Sequence, residues 1–515
     1  MFGSSPAPRL SRRIFVLGGI GAAAATALAP AAFGAAPYPF QLGIASGEPT
    51  ADGVVLWTRL APSPLDSDGH GGMPSADVEV EWQVATDDRF TKVVKSGKAV
   101  ALHDEAHSVH IEVTGLAADA DFFYRFRAQG HISPVGRTRT APKAGTTARE
   151  LIMAMCSCSN WPGGYFTAYR RMAEDNPGLI LHLGDYIYES GPGKGPRRHV
   201  GDEIMSLADY RRRYAQYKTD PDLQAAHAVA PWLVVPDDHE VENNYAGLIP
   251  QDSKDNDIFA ARRAAAYRAY WENMPLRKEQ KYTTTGIPLY RRVTWGSMAN
   301  FHMLDTRQFR ANQACGDGWQ DCADADLDTR SILDTLKGDE RPQEKWLLDG
   351  LAAKTATWEF LGQQVFFARR LAADGKSSMD SWDGYRASRA RIQAGFVERG
   401  IRNPIVLTGD VHAAWANELK DDYREPSSKV IGTELVTTSI SSGGDGSDVT
   451  EVPDQDNNPH LKFHSKRRGY VRNVINTAQV RVDFRSIDKV SEHGAPVKTA
   501  QSFMINDGRP GLEKV

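Results

Sequence analysis

Three short stretches far apart in this 515-residue chain carry side chains that bind metal ions and move protons: Gly184-Asp185-Tyr186-Ile187-Tyr188, Asp237-Asp238-His239 and Gly409-Asp410-Val411-His412. A fourth contributor is Cys158. Asp185, Asp237, Asp238 and Asp410 offer hard oxygen donors suited to Ca²⁺, Mg²⁺ or Mn²⁺. The thiolate of Cys158, the phenolate of Tyr188 and the imidazole of His412 suit a more acidic transition ion such as Fe³⁺. A mixed set implies at least two ions. In such sites a shared carboxylate holds the ions roughly 3.5–4 Å apart, water gives up a proton, and the pair clamps the attacking and leaving oxygens of an in-line phosphoryl displacement. Asp185, between the thiolate strand and the Asp-Asp-His strand, is the bridging candidate. His239 follows two acids and either orients a ligand or protonates the leaving group; we favour the donor role.

Each residue also has a bland role. Cys158 is otherwise an inert buried thiol, as Cys156 is expected to be, and Tyr188 a packed aromatic like Tyr186. Asp237 is otherwise a turn cap. What weighs against the bland roles is position, because these residues follow apolar runs that read as strands. Strands are expected at 151–155, 179–183, 232–235, 299–304, 358–361, 405–407 and 435–438, with helices at 166–175, 259–274, 331–351 and 388–399. Alternating buried strands and helices define an α/β domain, whose carboxyl edge gathers side chains from several strands.

Before residue 140 the pattern differs. Val78-Glu79-Val80-Glu81-Trp82 and Phe122-Phe123-Tyr124-Arg125-Phe126 alternate with period two between turn clusters, which predicts a small antiparallel β-sandwich, Ig- or fibronectin-like in outline. Residues 142–147 read as a linker, giving a supporting domain at 38–142 and a catalytic domain at 148–515. The Gly443-Gly444-Asp445-Gly446 stretch reads as a flexible loop.

The first 36 residues place Arg9, Arg12 and Arg13 before an apolar Ala/Gly-rich run, with small residues ahead of Pro37. This is a twin-arginine export address, read by the Tat translocase and cleaved, with an uncut anchor as the alternative. The run is too short for a confident membrane crossing, so no stable span is expected. Export implies a periplasmic or extracellular enzyme that acquires its metals before crossing. A net charge of -4 is a poor basis for nucleic-acid binding. Four cysteines make no disulfide scaffold; Cys315 and Cys322 flank a loop that one local bridge would close.

Gly184-Asp185-Tyr186-Ile187-Tyr188-Glu189, Asp237-Asp238-His239-Glu240-Val241-Glu242-Asn243-Asn244 and Gly409-Asp410-Val411-His412 resemble the motifs of the PhoD-like alkaline phosphatases, a metallophosphoesterase branch related to purple acid phosphatases. Leu304-Asp305-Thr306-Arg307-Gln308-Phe309-Arg310, Trp382-Asp383-Gly384-Tyr385, Thr438-Ser439-Ile440-Ser441-Ser442-Gly443-Gly444 and Asn458-Pro459-His460 extend the likeness over nearly the whole chain. The resemblance implies a four-layer αββα domain after the sandwich, and hydrolysis of phosphomonoesters and phosphodiesters by hydroxide generated on the metals. It implies Fe³⁺ held by Cys158, Asp185, Tyr188 and His412. Asp185 would bridge to Ca²⁺ held by Asp238 and Asp410, with Asp237 as a further ligand. Pro236 departs from the family, which usually shows Trp there, and so does Cys156.

Substrates implied are phosphate esters, with a phospholipid or cell-wall polymer among the candidates. A phospholipase D-like phosphodiesterase is the near alternative; a noncatalytic calcium-binding surface protein is the distant one, and it has no need of a thiolate or a phenolate. Arg307 either pairs with Asp305 or presents its guanidinium to a phosphate. The basic run at 458–468, with Lys462, Lys466 and Arg467, is either a lid over the site or solvated surface.

Overall fold

Strands buried along almost their whole length need cover on both faces, and that requirement sets the architecture. Leu151–Cys156, Leu179–Leu183 and Pro231–Val235 lie parallel and adjacent. They form the centre of a ten-stranded sheet that continues on one flank into Arg468–Ile475, Gln479–Ile487, Val497–Asn506 and Arg509–Lys514. On the other flank it continues into Ile44–Thr50, Gly53–Arg59 and Ser108–Val113. A seven-stranded sheet has a second parallel centre, Ala299–Met303, Trp358–Gly362, Pro404–Thr408 and Val430–Val436. The computed structural model describes residues 36–335, 340–425 and 427–515. The export address, all but its last residue, lies outside the described residues.

The two sheets pack face to face. Met153, Met155, Leu181, Leu183, Leu233 and Val235 from one meet Phe301, Met303, Phe360, Ile405, Leu407 and Leu435 from the other. The alternate residues Ala154, Cys156, Ile180, Trp232 and Val234 turn outward beneath the helices Thr167–Glu174, Leu207–Lys218, Pro221–Val229 and Asn256–Asn273. On the far side Leu361, Val406 and Val436 lie beneath Pro342–Ala352 and Arg386–Glu398. The result is the expected αββα order of layers. The helix expected at 331–351 starts only at Pro342, a residue preorganised for a first helical turn; residues 336–339 lie outside the described ones. Local signals set other starts, such as the Ser206–Asp209 capping box and Asp220 capping a helix that opens on Pro221.

The N-terminal part contains the expected antiparallel sheet, built on Val93–Ala101, Val78–Ala85 and Asp121–Ala128. Its apolar face, with Val80, Val84, Phe122, Tyr124 and Phe126, packs on Val54, Leu56, Ile111 and Val113. Those last four belong to strands of the ten-stranded sheet. The sandwich therefore shares one of its two sheets with the rest of the chain, and residues 38–515 form one compact unit. Ser46 pairs in parallel register with Pro231, and Glu48 forms a buried bidentate pair with Arg291 of the second sheet. Among the described residues no helix is long and apolar enough to cross a membrane. Cys315 and Cys322 are bonded, whereas Cys156 and Cys158 are free and buried. The glycine-rich stretch expected to be flexible is tied down: Asp445 accepts from the backbone N–H groups of Val490 and Ser491 at 2.7 and 2.8 Å.

Lys218 is buried in the helical layer, with its Nζ 4.2 Å from the Trp57 ring centroid and no acceptor among the described residues. Burial holds its pKa well below the ordinary 10.5, and the nearby Arg59 adds to this. The unfolded chain then binds a proton that the folded chain does not, so the folded state is penalised below pH 10.5, and stability rises as pH climbs toward that value. Lys218→Met is expected to stabilise the protein at pH 7 by about 1–3 kcal/mol, with a smaller gain at pH 10. Denaturant unfolding at both pH values measures it.

Candidate metal centre

The carboxyl ends of both parallel centres meet at one place, and the chain turns there through unusual backbone. Cys158, Asp185, Asp410 and His412 all adopt positive φ, at 62°, 57°, 65° and 53°. Non-glycine residues enter this region at a cost and cluster where function requires it. Each sharp turn stops a strand and throws the side chain into the shared space instead of onto a sheet face. Gly184 makes the closest approach possible: a Cβ there would lie 2.3 Å from the Asp237 Cβ. The turns after Leu183 and Val235 are locked by Glu240, a buried residue that the sequence did not single out. Its Oε2 accepts from the N–H groups of Asp185 at 3.1 Å and Asp237 at 2.7 Å, and its Oε1 from Tyr186 N–H at 2.5 Å. Burial pushes the Glu240 carboxyl up to about 8, against these donors, which favour the anion. Glu240→Gln puts an amide N–H₂ against a backbone N–H, and a 10- to 100-fold loss of metal affinity or activity is expected, roughly the effect of removing a ligand's supporting partner. Metal titration beside steady-state assay checks it.

Two donor groups result. The ligand atoms of Cys158, Asp185 and His412 lie within 4.8 Å of one another, and so do those of Asp185, Asp238 and His239. Asp185 belongs to both. Tyr188 joins the first group, its Oη donating to Asp185 Oδ2 at 2.9 Å and lying 3.0 Å from His412 Nε2. Ser442, from the Thr-Ser-Ile-Ser-Ser-Gly-Gly stretch, donates its hydroxyl to the same Oη at 2.7 Å. Asp238 is held by the N–H groups of His239 and Asn244 at 3.0 and 2.7 Å. His239 Nδ1 sits 2.7 Å from Glu189 Oε2, and its ring packs on Tyr188 at a centroid distance of 4.1 Å.

The charges are crowded to a degree that calls for cations. Burial, joined by Asp238, Asp237 and Glu240, drives the Asp185 carboxyl far above its usual range, although His239 opposes this. Burial, then Asp237 and Asp380, does the same to Asp410. Asp185 Oδ1 and Asp237 Oδ2 are buried without a partner among the described residues. Oxygen donors left over among like charges, beside a thiol, a phenol and an imidazole, fit a hard ion and a more acidic one.

The remaining predicted residues stand at the border. Asp410 faces a cavity of about 250 Å³ that it lines with Trp319, Phe366 and Arg370. Asp237 has Oδ1 committed to Arg307 Nε at 2.5 Å. Arg307 does not pair with Asp305, and its guanidinium is not open to a phosphate in this structure. Both its terminal nitrogens donate to Asp380 at 2.8 Å, while Asp305 accepts from the N–H groups of Arg307 and Gln308. The basic run at 458–468 is no lid: Leu461–Ser465 is a sheet strand, Lys462 pairs with Glu418 and Arg467 with Asp448. At its end, Arg468 donates to Ser439 Oγ and the Ser442 carbonyl at 2.6 and 2.5 Å, holding the loop that supports Tyr188.

A double sheet between helical layers, with acids, imidazoles, a thiol and a phenol gathered at its strand ends, defines the metallophosphoesterase class of architecture. The profile of the PhoD-like phosphatases matches residues 153–484, and that of their N-terminal domain residues 24–142. Alkaline phosphatase D of Bacillus subtilis (strain 168) is 46% identical over 489 residues, covering 93% of this chain and 82% of that protein. A solved structure described as that of PhoD superimposes with a TM-score of 0.88 at 44% identity, over 93% of this chain and 92% of that one. The chain belongs to the PhoD-like phosphatase family and is a phosphoric ester hydrolase.

Proposed function

We propose that this chain is an exported phosphoesterase that hydrolyses phosphomonoesters and phosphodiesters at a centre of Fe³⁺ and Ca²⁺. Cys158, Asp185, Tyr188 and His412 would hold the iron; Asp185, Asp238 and Asp410, joined by Asp237, would hold the calcium. The observation that carries this reading is the double membership of Asp185 in the two donor groups. Bound there, the cations supply positive charge for the phosphoryl oxygens and acidify water. The chain supplies the rest. Glu240 fixes the turns that aim Asp185 and Asp237. Glu189 fixes the His239 ring through Nδ1 beside Asp185 and Asp238, which leaves Nε2 to donate to a departing alkoxide. Arg307 and Asp380 brace Asp237 from behind. Residues 38–142 act as a support that completes the sheet edge, and the address at 1–36 directs the folded protein through the Tat translocase to the periplasm or beyond.

Elemental analysis of the exported protein tests the metals, with one iron and one or more calcium ions per chain expected. Tyr188 on ferric iron gives a visible charge-transfer band, lost in Tyr188→Phe. A colourless, iron-free protein with full turnover overturns the assignment. Parallel assays on a monoester, a bis-ester and phosphatidylcholine separate a general phosphoesterase from a phospholipase D, which would favour the lipid.

A further inference from the structure

Away from the strand ends, two loops bring three imidazoles together. One loop, between Gly53–Arg59 and Val78–Ala85, carries His70; the other, between Val93–Ala101 and Ser108–Val113, carries His103 and His107. Their ligand nitrogens lie within 4.8 Å of one another. The His70 and His103 rings stack at 4.1 Å and 10°, and His107 meets His103 edge-on at 5.6 Å. In all three rings Nδ1 is buried without a partner among the described residues. His107 is fully buried, and its Nε2 lies 2.9 Å from the Ala76 carbonyl. A carbonyl only accepts, so Nε2 carries the proton and Nδ1 keeps its lone pair, the tautomer a metal-binding histidine shows when its other nitrogen donates to the backbone.

We propose that His70, His103 and His107 form a further metal site, for a divalent transition ion of the zinc kind, that staples these two loops together. Three nitrogen donors suit Zn²⁺, Ni²⁺ or Cu²⁺ and offer nothing to Ca²⁺. The rings are held in place before any ion arrives. The buried guanidinium of Arg59 donates Nε to the Ala106 carbonyl at 3.1 Å and Nη2 to the Gly69 carbonyl at 2.5 Å, so one side chain ties both loops. Asp68 accepts from the His70 N–H at 2.8 Å and Asp77 from the His103 N–H at 2.9 Å. Gly69, at φ +74°, lets its loop lie against the helix Leu207–Lys218, where a Cβ would fall 2.9 Å from Ala208 Cα.

The test uses the full-length exported protein with its strand-end centre as purified, titrated with zinc chloride by calorimetry. Wild type is expected to take up one more equivalent of Zn²⁺ than either His70→Ala or His103→Ala, each variant losing at least about 100-fold in affinity for that equivalent. Zn²⁺ should raise the unfolding temperature of wild type alone, while turnover of phosphate esters stays equal in all three proteins. Substituting Co²⁺ and subtracting the His103→Ala spectrum should leave the visible bands of a low-coordinate nitrogen site. Both altered residues are only half-buried, so folding is retained even where His107→Ala fails to fold. Equal Zn²⁺ stoichiometry in wild type and both variants, or a flat Co²⁺ difference spectrum, overturns the proposal and leaves three neutral rings in simple contact.

Discussion

Asp185→Asn is expected to lower turnover of every phosphate ester by about 10³-fold or more, since it removes the one negative charge that both cation groups share. No other predicted ligand belongs to both groups. The amide has nearly the shape of the carboxylate, and the Asp185 N–H stays on Glu240, so the αββα scaffold should persist. Metal content should fall at both positions together, whereas Asp238→Asn should empty one. Activity within 10-fold of wild type in a folded, metal-poor Asp185→Asn protein would falsify the bridging role.

His239→Ala should give the second large effect, and one that depends on the substrate. Burial alone would lower the His239 pKa, but Glu189 first, then Asp238 and Asp185, hold it well above its ordinary value. A ring kept protonated beside the site can hand a proton to a poor leaving group, a contribution of about 10²–10⁴-fold. A p-nitrophenolate departs without that help. Turnover of an alkyl phosphate is therefore expected to fall by about 10²–10⁴-fold while p-nitrophenyl phosphate is nearly spared. Equal losses on both esters would assign His239 to holding a cation instead. Glu189→Gln should reproduce the pattern weakly, because Glu189 only aims the ring.

Much of this centre was legible in the chain itself. Leu179–Leu183 and Pro231–Val235 are short apolar runs that stop at acids, and parallel strands with both faces covered show just that texture. Other features depended on contacts distant in sequence. Glu240 looks like one acid in an acidic run until two separate turns place three N–H groups on it. Arg307 sits two residues from Asp305, which invites a local pair, yet the strand end sends it to Asp237 and Asp380, about 70 residues away on either side. The helix Leu207–Lys218 is hard to see in the sequence because the residues it buries include Tyr210, Arg211, Arg213, Tyr214, Tyr217 and Lys218, a face with little apolar rhythm. Alternation with period two marks the antiparallel strands of the N-terminal sandwich. Period two cannot tell which strands will join a neighbouring sheet, and the Ser46–Pro231 register spans most of two hundred residues.

Cys158, Asp185 and Asp238 hang from one sheet, Asp410 and His412 from the other. The reacting groups are thus like the two jaws of a vice, and their gap is dictated by how deeply Met155, Leu183 and Val235 interlock with Met303, Leu407 and Leu435. A methyl group gained or lost in that apolar seam alters chemistry at the rim without touching a single polar atom. Selection on catalysis in this protein therefore reaches into oily residues that never meet a substrate.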